Sequence, residues 1–363
     1  MSTIPARPHA EIPGLRHAAP DHVDLDRGHA VPRCILVLGG GPDREREVSL
    51  WSAKGVADAL RGAGLEVLER TIDRITAAQL ADMPGDVVFP VLHGSFGEGG
   101  PLQDILEAAG RAYVGCRPHA ARVAMDKVAT KLAAARAGVP TAPAGVLNPL
   151  DERCPIPFGA GVVLKPIHDG SSVGVHLIRR AEQWDGALAA ARADIRDHPG
   201  RSYMVESLVT PAAPEALQPP ARLFAAARVR ELTVAILQTD DGYTALPVIH
   251  IQPTTDFYDY EAKYLRDDTV YTPLPASDAV VPIIQAHACR VAAAVGIRHL
   301  CRVDFLDPAF AAGGGEPQML EINTMPGFTS HSLYPLAART AGICTPDLCK
   351  RLVGMAWNER IVR

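Results

Sequence analysis

The stretch 319–332, MLEINTMPGFTSHS, carries an acid and an amide two residues apart in a short apolar run that stops at a Pro-Gly pair. Side chains alternate along a strand, so Glu321 and Asn323 would share one face while their apolar neighbours point to the other. Two oxygen donors on one face, just before a turn, suit a hard cation such as Mg²⁺. On this fragment alone we favour the simpler interpretation, a strand end whose polar residues meet water.

A second stretch, CRVDFL at 301–306, repeats the spacing with Arg302 and Asp304, which would also share one face of a strand. Such a pair is most often a structural ion pair. If the two strands are neighbours, however, three oxygen ligands and one guanidinium converge. That group would suit Mg²⁺ bound to nucleotide phosphates, with Arg302 placed to bind developing negative charge.

The composition is that of a soluble globular protein. Of its residues, 47% are hydrophobic and 21% charged, which are ordinary proportions. The length of 363 residues predicts more than one domain. The net charge of -5 gives no indication of a nucleic-acid partner. The seven cysteines form no C-x-x-C pair, so we expect free thiols in a reducing compartment.

The chain carries no apolar run near the ~20 residues of a membrane-spanning helix. Residues 1–31 are rich in Pro, His and Ala and lack the apolar segment of a signal peptide. We therefore expect a flexible N-terminal tail, a cytoplasmic protein and no membrane partner.

The N-terminal part reads as an open α/β layer. CILVLGG at 34–40 is a buried type of strand before a Gly-rich turn, and a helical pattern and two further strands follow, LEVLER at 65–70 and DVVFPVL at 86–92. This order predicts a mainly parallel sheet, with ligands near the carboxyl ends of its strands. One loop at such a position is HGSFGEGG, 93–100.

The rest of the chain predicts α+β units. Residues 124–138 are helical in pattern and end at a glycine, and β-like runs then surround one helix at 181–195. The stretch 210–228 has four prolines and reads as an inserted loop. A helix near 281–296 precedes the two strands quoted above. The predicted fold class is α/β, in a multidomain α+β arrangement.

Two Gly-rich stretches could bind phosphate. GGGPDRE at 39–45 would need a third glycine at 44 to match a dinucleotide fingerprint, and Arg44 stands there, so we reject a nicotinamide enzyme. In KPIHDGSSVGV, 165–175, a lysine precedes a loop of glycines and serines that could wrap phosphate oxygens. An ordinary β-hairpin explains that second stretch equally well.

Seven segments, in order, resemble the D-alanine–D-alanine ligases of the ATP-grasp superfamily: REREVSL, VLHGSFGEGG, AMDK, KPIHDGSSVGV, FYDYEAKY, CRVDF and LEINTMPGFTSHS. The resemblance extends from about Cys34 to Ile343. It implies an ATP-grasp fold and the ATP-dependent joining of two D-alanines, through an acylphosphate, for peptidoglycan precursors. It also implies two Mg²⁺ or Mn²⁺ ions and a homodimer.

The resemblance implies a division of the chain after the tail. The expected parts are an N-terminal substrate domain at 32–118, a central ATP-grasp subdomain at 119–206 and a C-terminal ATP-grasp subdomain at 207–363. The insertion 210–228 would lie beside the adenine pocket.

Site roles follow from the resemblance, position by position. The implied metal ligands are Asp304, Glu321 and Asn323. The implied oxyanion site is made of Arg302 and the backbone N–H of Gly327. The implied ATP-binding residues are Lys127, Lys165, Ser172, Glu206, Leu208, Val209, Glu231 and Lys263. The implied substrate-binding residues are Glu45, His93, Arg302, Gly327, Ser332 and Leu333.

A hydrogen-bonded trio of Glu45, Ser171 and Tyr264 is implied to close the site over its intermediates, which would otherwise hydrolyse. Tyr264 also resembles the dipeptide-forming members, which favours an amine as the nucleophile.

The chain departs from the family pattern at Gly99, where an acid is usual. Alternatives are a ligase that uses D-lactate or D-serine, and an inactive nucleotide-binding homologue, against which the intact set at 302, 304, 321 and 323 argues.

Overall fold

The structure, a computed structural model, describes residues 32–170, 172–210, 229–254, 268–308 and 315–359. The predicted tail 1–31, residues 211–228 of the predicted insertion, and Ser171, Lys263 and Tyr264 lie outside these ranges. Three sheets follow one another along the chain.

The first sheet is parallel, as the sequence predicts. Its strands are β1 (Cys34–Gly40), β2 (Glu66–Ile72), β3 (Val87–Pro90) and β4 (Ala112–Tyr113). They pair in the order β2-β1-β3-β4. The helix α1 (Arg46–Gly62) connects β1 to β2 and buries one face, including Val56 and Leu60, against the sheet.

Three shorter helices complete this N-terminal unit: α2 (Ala77–Ala81), α3 (Gly94–Glu98) and α4 (Pro101–Ala108). The segment 93–100, expected as a loop, contains α3. The expectation missed this turn of helix because four of the eight residues are glycines, which disfavour helices in isolation. Tertiary packing decides here, since Phe96 and Glu98 of α3 are buried.

The helical pattern at 124–138 forms two helices, α5 (Pro118–Met125) and α6 (Lys127–Arg136), rather than one. The break is at Asp126, whose carboxylate accepts hydrogen bonds from the N–H groups of Val128 and Ala129, both at 2.9 Å. An aspartate that caps a new helix in this way competes with continuation of the old one.

The second sheet is antiparallel and small. Its strands are β5 (Ala144–Val146), β6 (Val162–Pro166), β7 (His176–Ile178) and β8 (Tyr203–Ser207), in the order β5-β8-β6-β7. The helix α7 (Trp184–Asp197) packs on it through Trp184 and Leu188. The helix between β-like runs is found as predicted, but the later β-like runs, at 230–239 and 242–245, belong to the third sheet and not to this one.

The third sheet has six strands. They are β9 (Arg230–Thr239), β10 (Gly242–Ala245), β11 (Ile249–Gln252), β12 (Val270–Pro273), β13 (Leu300–Asp307) and β14 (Gln318–Asn323). The order is β12-β11-β9-β13-β14, with β10 paired to β9. The remaining helices are α8 (Val281–Val295), α9 (Leu333–Thr340) and α10 (Thr345–Glu359).

Two of the hydrophobic cores join parts that are distant in the chain. One core contains Val37 and Phe89 of the first sheet together with Ala338 of α9 and Leu352 of α10. A second joins α5 and α6 to the third sheet, although the predicted boundaries assign 119–206 to the central part. The N-terminal and C-terminal units therefore pack directly against each other. No helix in the described ranges has the length and apolarity needed to span a membrane.

Candidate active site

The floor of the site is built by β13 and β14, which are neighbours. Their antiparallel register places Arg302 opposite Asn323 and Asp304 opposite Glu321. Residues directly opposite each other in an antiparallel pair lie on the same face of the sheet. All four polar side chains therefore project to one side, which is the condition on which the sequence argument depended.

Arg302 and Asp304 also form the ion pair that their spacing suggested. Arg302 Nε donates to Asp304 Oδ1 at 2.9 Å and Nη2 donates to Oδ2 at 2.8 Å. Thr233 Oγ1 on β9 donates to Asp304 Oδ1 at 2.5 Å. Asp304 is only 3% exposed, so these donors fix the carboxylate and the plane of the guanidinium together.

A cavity of about 820 Å³ opens above this floor. Among its lining residues are nine of the residues singled out from the sequence: Glu45, His93, Lys127, Arg302, Glu321, Asn323, Gly327, Ser332 and Leu333. They come from all three parts of the chain. The structure thus brings into one cavity residues that the sequence argument could only name separately.

The N-terminal unit supplies one wall of the cavity through His93 and Glu98. Burial lowers the pKa of His93; the nearby Glu45 opposes that shift and Arg302 adds to it. His93 Nε2 is buried and has no hydrogen-bond partner among the described residues. A neutral imidazole at the cavity wall is the result.

Glu98 is the main residue that the sequence argument missed. It lines the cavity and is 8% exposed. Burial raises the pKa of Glu98 to about 8, with Glu45 adding to the rise. The missing acid at Gly99 has a steric reason in this chain, because a Cβ there would lie 2.5 Å from the carbonyl oxygen of Ser95. The signal available in the sequence for Glu98 was its position, an acid directly before Gly99 in the Gly-rich segment 93–100.

The lysines expected to bind phosphate are held by one carboxylate and one backbone carbonyl. Lys127 Nζ donates to the carbonyl oxygen of Asp169. Lys165 pairs with Glu206, and Lys131 Nζ lies 2.9 Å from the other oxygen of the same carboxylate. Burial raises the pKa of Glu206, but the two lysines outweigh it and hold the pKa below its ordinary value. Lys131 is a second residue that sequence reasoning overlooked.

The segment after β14 forms another part of the cavity lining. Thr329 N–H donates to Ser332 Oγ at 2.9 Å, and Ser332 stands immediately before α9. Ser332 and Leu333 both line the cavity with Gly327. This segment therefore presents a backbone turn, a hydroxyl and an apolar side chain to a ligand.

The remaining sequence-predicted residues do not line this cavity. They are Lys165, Ser172, Glu206, Leu208, Val209, Glu231 and Asp304. Glu231 lies on β9, paired in register with Ile251 and Leu306, and Ser172 has a left-handed backbone, with φ of 59°. The roles expected of Ser171, Lys263 and Tyr264 concern residues outside the described ranges.

The donor set on the floor fits a divalent cation. Asn323 Oδ1 is buried and has no hydrogen-bond partner among the described residues, and Glu321 lines the same cavity. Hard cations prefer oxygen ligands of these kinds. Within the part of the chain that the structure describes, no three His, Cys, Asp or Glu side chains converge. The expected ligands, Asp304, Glu321 and Asn323, are two carboxylates and one carboxamide, and so they are not a group of that kind.

Comparisons with known proteins agree with this geometry. Residues 209–354 match the family described as D-ala D-ala ligase C-terminus, and residues 68–116 match D-ala D-ala ligase N-terminus. The chain is 38% identical over 329 residues to D-alanine–D-alanine ligase B of Chromobacterium violaceum, covering 88% of this chain and 96% of that protein. It is 36% identical over 343 residues to D-alanine–D-alanine ligase of Moorella thermoacetica, covering 89% and 98%.

A solved structure gives the same fold. The D-alanine–D-alanine ligase from Coxiella burnetii superposes with a TM-score of 0.69 at 23% sequence identity, covering 91% of this chain and 96% of that one. The predicted α/β multidomain fold is confirmed by this likeness.

Proposed function

The chain belongs to the D-alanine–D-alanine ligase family, and from that premise we propose that it joins two molecules of D-alanine at the expense of ATP. The observation that carries the proposal is that Arg302, Asp304, Glu321 and Asn323 share one face of the β13–β14 pair, and that the first, third and fourth of them line the cavity. These residue types suit the transfer of a phosphoryl group to a carboxylate. The product would be D-alanyl-D-alanine, a precursor of peptidoglycan.

The proposed reaction has two steps. A carboxylate oxygen of the first D-alanine attacks the γ-phosphorus of ATP, and the bond to the β-phosphate oxygen breaks, so that an acylphosphate and ADP result. The amine of the second D-alanine then attacks the acyl carbon and phosphate leaves from the tetrahedral intermediate. Phosphorylation is needed because a carboxylate is a poor electrophile with a poor leaving group.

The residues of this chain would act mainly by positioning and by charge. Glu45 would hold the ammonium of the first D-alanine, with His93 beside it. Arg302 and the N–H of Gly327 would bind the oxyanion that forms at the acyl carbon. The ion pair to Asp304 keeps the guanidinium of Arg302 oriented before substrates arrive.

At the nucleotide end, Lys127 and Lys165 would hold phosphate oxygens. Asp304, Glu321 and Asn323 would hold Mg²⁺ or Mn²⁺, two ions in this proposal. When bound, these ions neutralise charge on the phosphates and polarise the γ-phosphoryl group. Glu206 would lie beside adenine, and its carboxylate would keep Lys165 in place. Ser172, Leu208, Val209, Glu231 and Lys263 would complete the nucleotide site.

Ser332 and Leu333 would contact the second D-alanine, and Glu45, Ser171 and Tyr264 would close the site. We also propose that the protein is a cytoplasmic homodimer, and that the domain boundaries lie at 118/119 and 206/207. Light scattering of the purified protein tests the dimer, and a monomer would refute it.

The decisive experiment measures ADP and phosphate release with ATP and each of four acceptors: D-alanine, L-alanine, D-serine and D-lactate. We expect release that depends on D-alanine and a dipeptide identified by mass spectrometry. Faster turnover with D-lactate or D-serine as second substrate would support the alternative ligases. ATP binding without turnover on any substrate would indicate an inactive homologue.

A further inference from the structure

The turn that carries Gly327 follows a strand of the C-terminal unit, yet the N-terminal unit holds it on one side through Glu98. Met325 N–H donates to Glu98 Oε2 at 3.1 Å, and Thr324 Oγ1 donates to the backbone carbonyl of Glu98 at 3.2 Å. The partners are more than two hundred residues apart in sequence. Both bonds are buried, so each makes a defined geometric restraint.

Ser52 of α1 holds the other side of the same turn. Phe328 N–H donates to Ser52 Oγ at 3.1 Å in a buried position. The ring of Phe328 packs edge-on against Phe89 of β3, with 5.6 Å between the ring centroids. Gly327 thus lies between two residues, Met325 and Phe328, whose amide groups are each bonded to the N-terminal unit.

Glu98 is itself well fixed. Its second oxygen, Oε1, accepts from Gly94 N–H at 3.3 Å at the start of α3. Because burial raises the pKa of Glu98 to about 8, the side chain is uncharged near pH 7. It can therefore accept backbone hydrogen bonds without adding a negative charge beside Glu45 and Arg302.

We propose that Ser52 and Glu98 of the N-terminal unit are positioning residues, which place the N–H of Gly327 against the reacting carbonyl of the substrate. The inference rests on the proposed function, since it concerns the oxyanion site of that reaction. An oxyanion donor must be aimed at the position of the charge that forms, and a displacement of about 1 Å can lower a rate by about 10²-fold. The packing of the N-terminal unit on the C-terminal unit would then set kcat. The KM for ATP would depend on residues outside this turn.

The test compares Ser52→Ala, Glu98→Ala and Glu98→Gln with the wild-type protein in the ligase assay at pH 7. The two alanine variants should lower kcat by about 10-fold or more, with the KM for ATP within about 3-fold of wild type. Glu98→Gln should restore most of kcat, because its amide oxygen can still accept from Met325 N–H, the bond that restrains the turn, and only the longer bond from Gly94 N–H is lost. Two variants on opposite sides of the turn keep the test decisive if one of them folds poorly.

Glu107→Ala is the matched control. Glu107 is a partly buried acid of the same N-terminal unit, and it accepts from Tyr113 Oη at 2.9 Å and from Arg117 at 3.3 Å. This variant should lose stability without the specific loss of kcat. Circular dichroism and the affinity for ATP check that each variant is folded.

Three results would overturn the inference: folded Ser52→Ala and Glu98→Ala that both keep kcat within about 2-fold of wild type, a Glu98→Gln as impaired as the alanine variant, or an equal kcat loss in the control. Failure of the proposed function would look different. In that case the wild-type protein itself would release no ADP in response to D-alanine.

Discussion

Replacement of Glu98 by glutamine should change how the stability of the protein depends on pH. The pKa of Glu98 rises from its ordinary 4.5 to about 8 on folding, chiefly through burial. Between these values the folded protein holds a proton on Glu98 that the unfolded chain has released. The free energy of unfolding therefore falls as pH increases, by roughly 1.4 kcal/mol for each pH unit from this group alone.

Across the whole window of about 3.5 pH units this amounts to about 5 kcal/mol as an upper limit. Glutamine has the same shape and does not ionise, so Glu98→Gln should lack this contribution. The groups whose charges face Glu98 are Glu45 and Arg302. They are present in both proteins, which makes the difference between the two specific to the carboxyl.

The assay is urea unfolding of both proteins at pH 5, 6, 7 and 8, followed by tryptophan fluorescence, with Trp51 in the same unit as Glu98. The stability of Glu98→Gln relative to wild type should increase steadily with pH over this range. A difference that stays constant to within about 1 kcal/mol would refute a protonated, buried Glu98.

Three further outcomes are expected. Arg302→Ala should lower kcat by roughly 10²-fold or more and leave the ATP dissociation constant within about 3-fold, since it would remove the proposed oxyanion donor; an unchanged kcat would exclude that role. Asn323→Leu should weaken Mn²⁺ binding, measured by electron paramagnetic resonance, by about 10-fold or more, because one proposed oxygen ligand would be lost; equal affinity would remove Asn323 from the proposed metal site. Burial raises the pKa of Glu359, but the His299 ring, whose Nε2 lies 3.3 Å from Oε1, and the charge of Arg298 outweigh it and lower the pKa to about 2. The stability from this depressed pKa is present above pH 4.5 and is lost as pH falls towards 2. Glu359→Gln should therefore lose less stability than wild type in acid unfolding. Parallel curves of unfolding free energy against pH for the two proteins would contradict the depressed pKa of Glu359.

Much of the fold could be read from local patterns. The parallel first sheet, the antiparallel β6–β8 region and the strands β13 and β14 all carry periodicities that the sequence displays directly. The errors occurred where a local pattern competes with packing. Asp126 splits a continuous helical pattern because its carboxylate caps a second helix, and 94–98 forms a helix despite its glycines.

The candidate active site shows the same division between local pattern and tertiary packing. That Glu321 and Asn323 share a face, and that Arg302 and Asp304 do, follows from the two-residue period of a strand and needs no tertiary information. That the two pairs share the same face depends on the register of β13 against β14. This register depends on which strands pair, and the residues of the two strands alone do not determine it.

Glu98, Lys131 and Ser52 mark the limit of what the chain alone determined. Each is an ordinary polar residue in sequence, and each gains its place in the site from a partner at a distance, such as Met325 for Glu98 and Phe328 for Ser52. Residue type and spacing determined which groups could do the chemistry, because strand and helix periods are local. Only the tertiary structure decided which groups meet and which carboxyl keeps its proton, because burial and charge depend on residues far away in the chain.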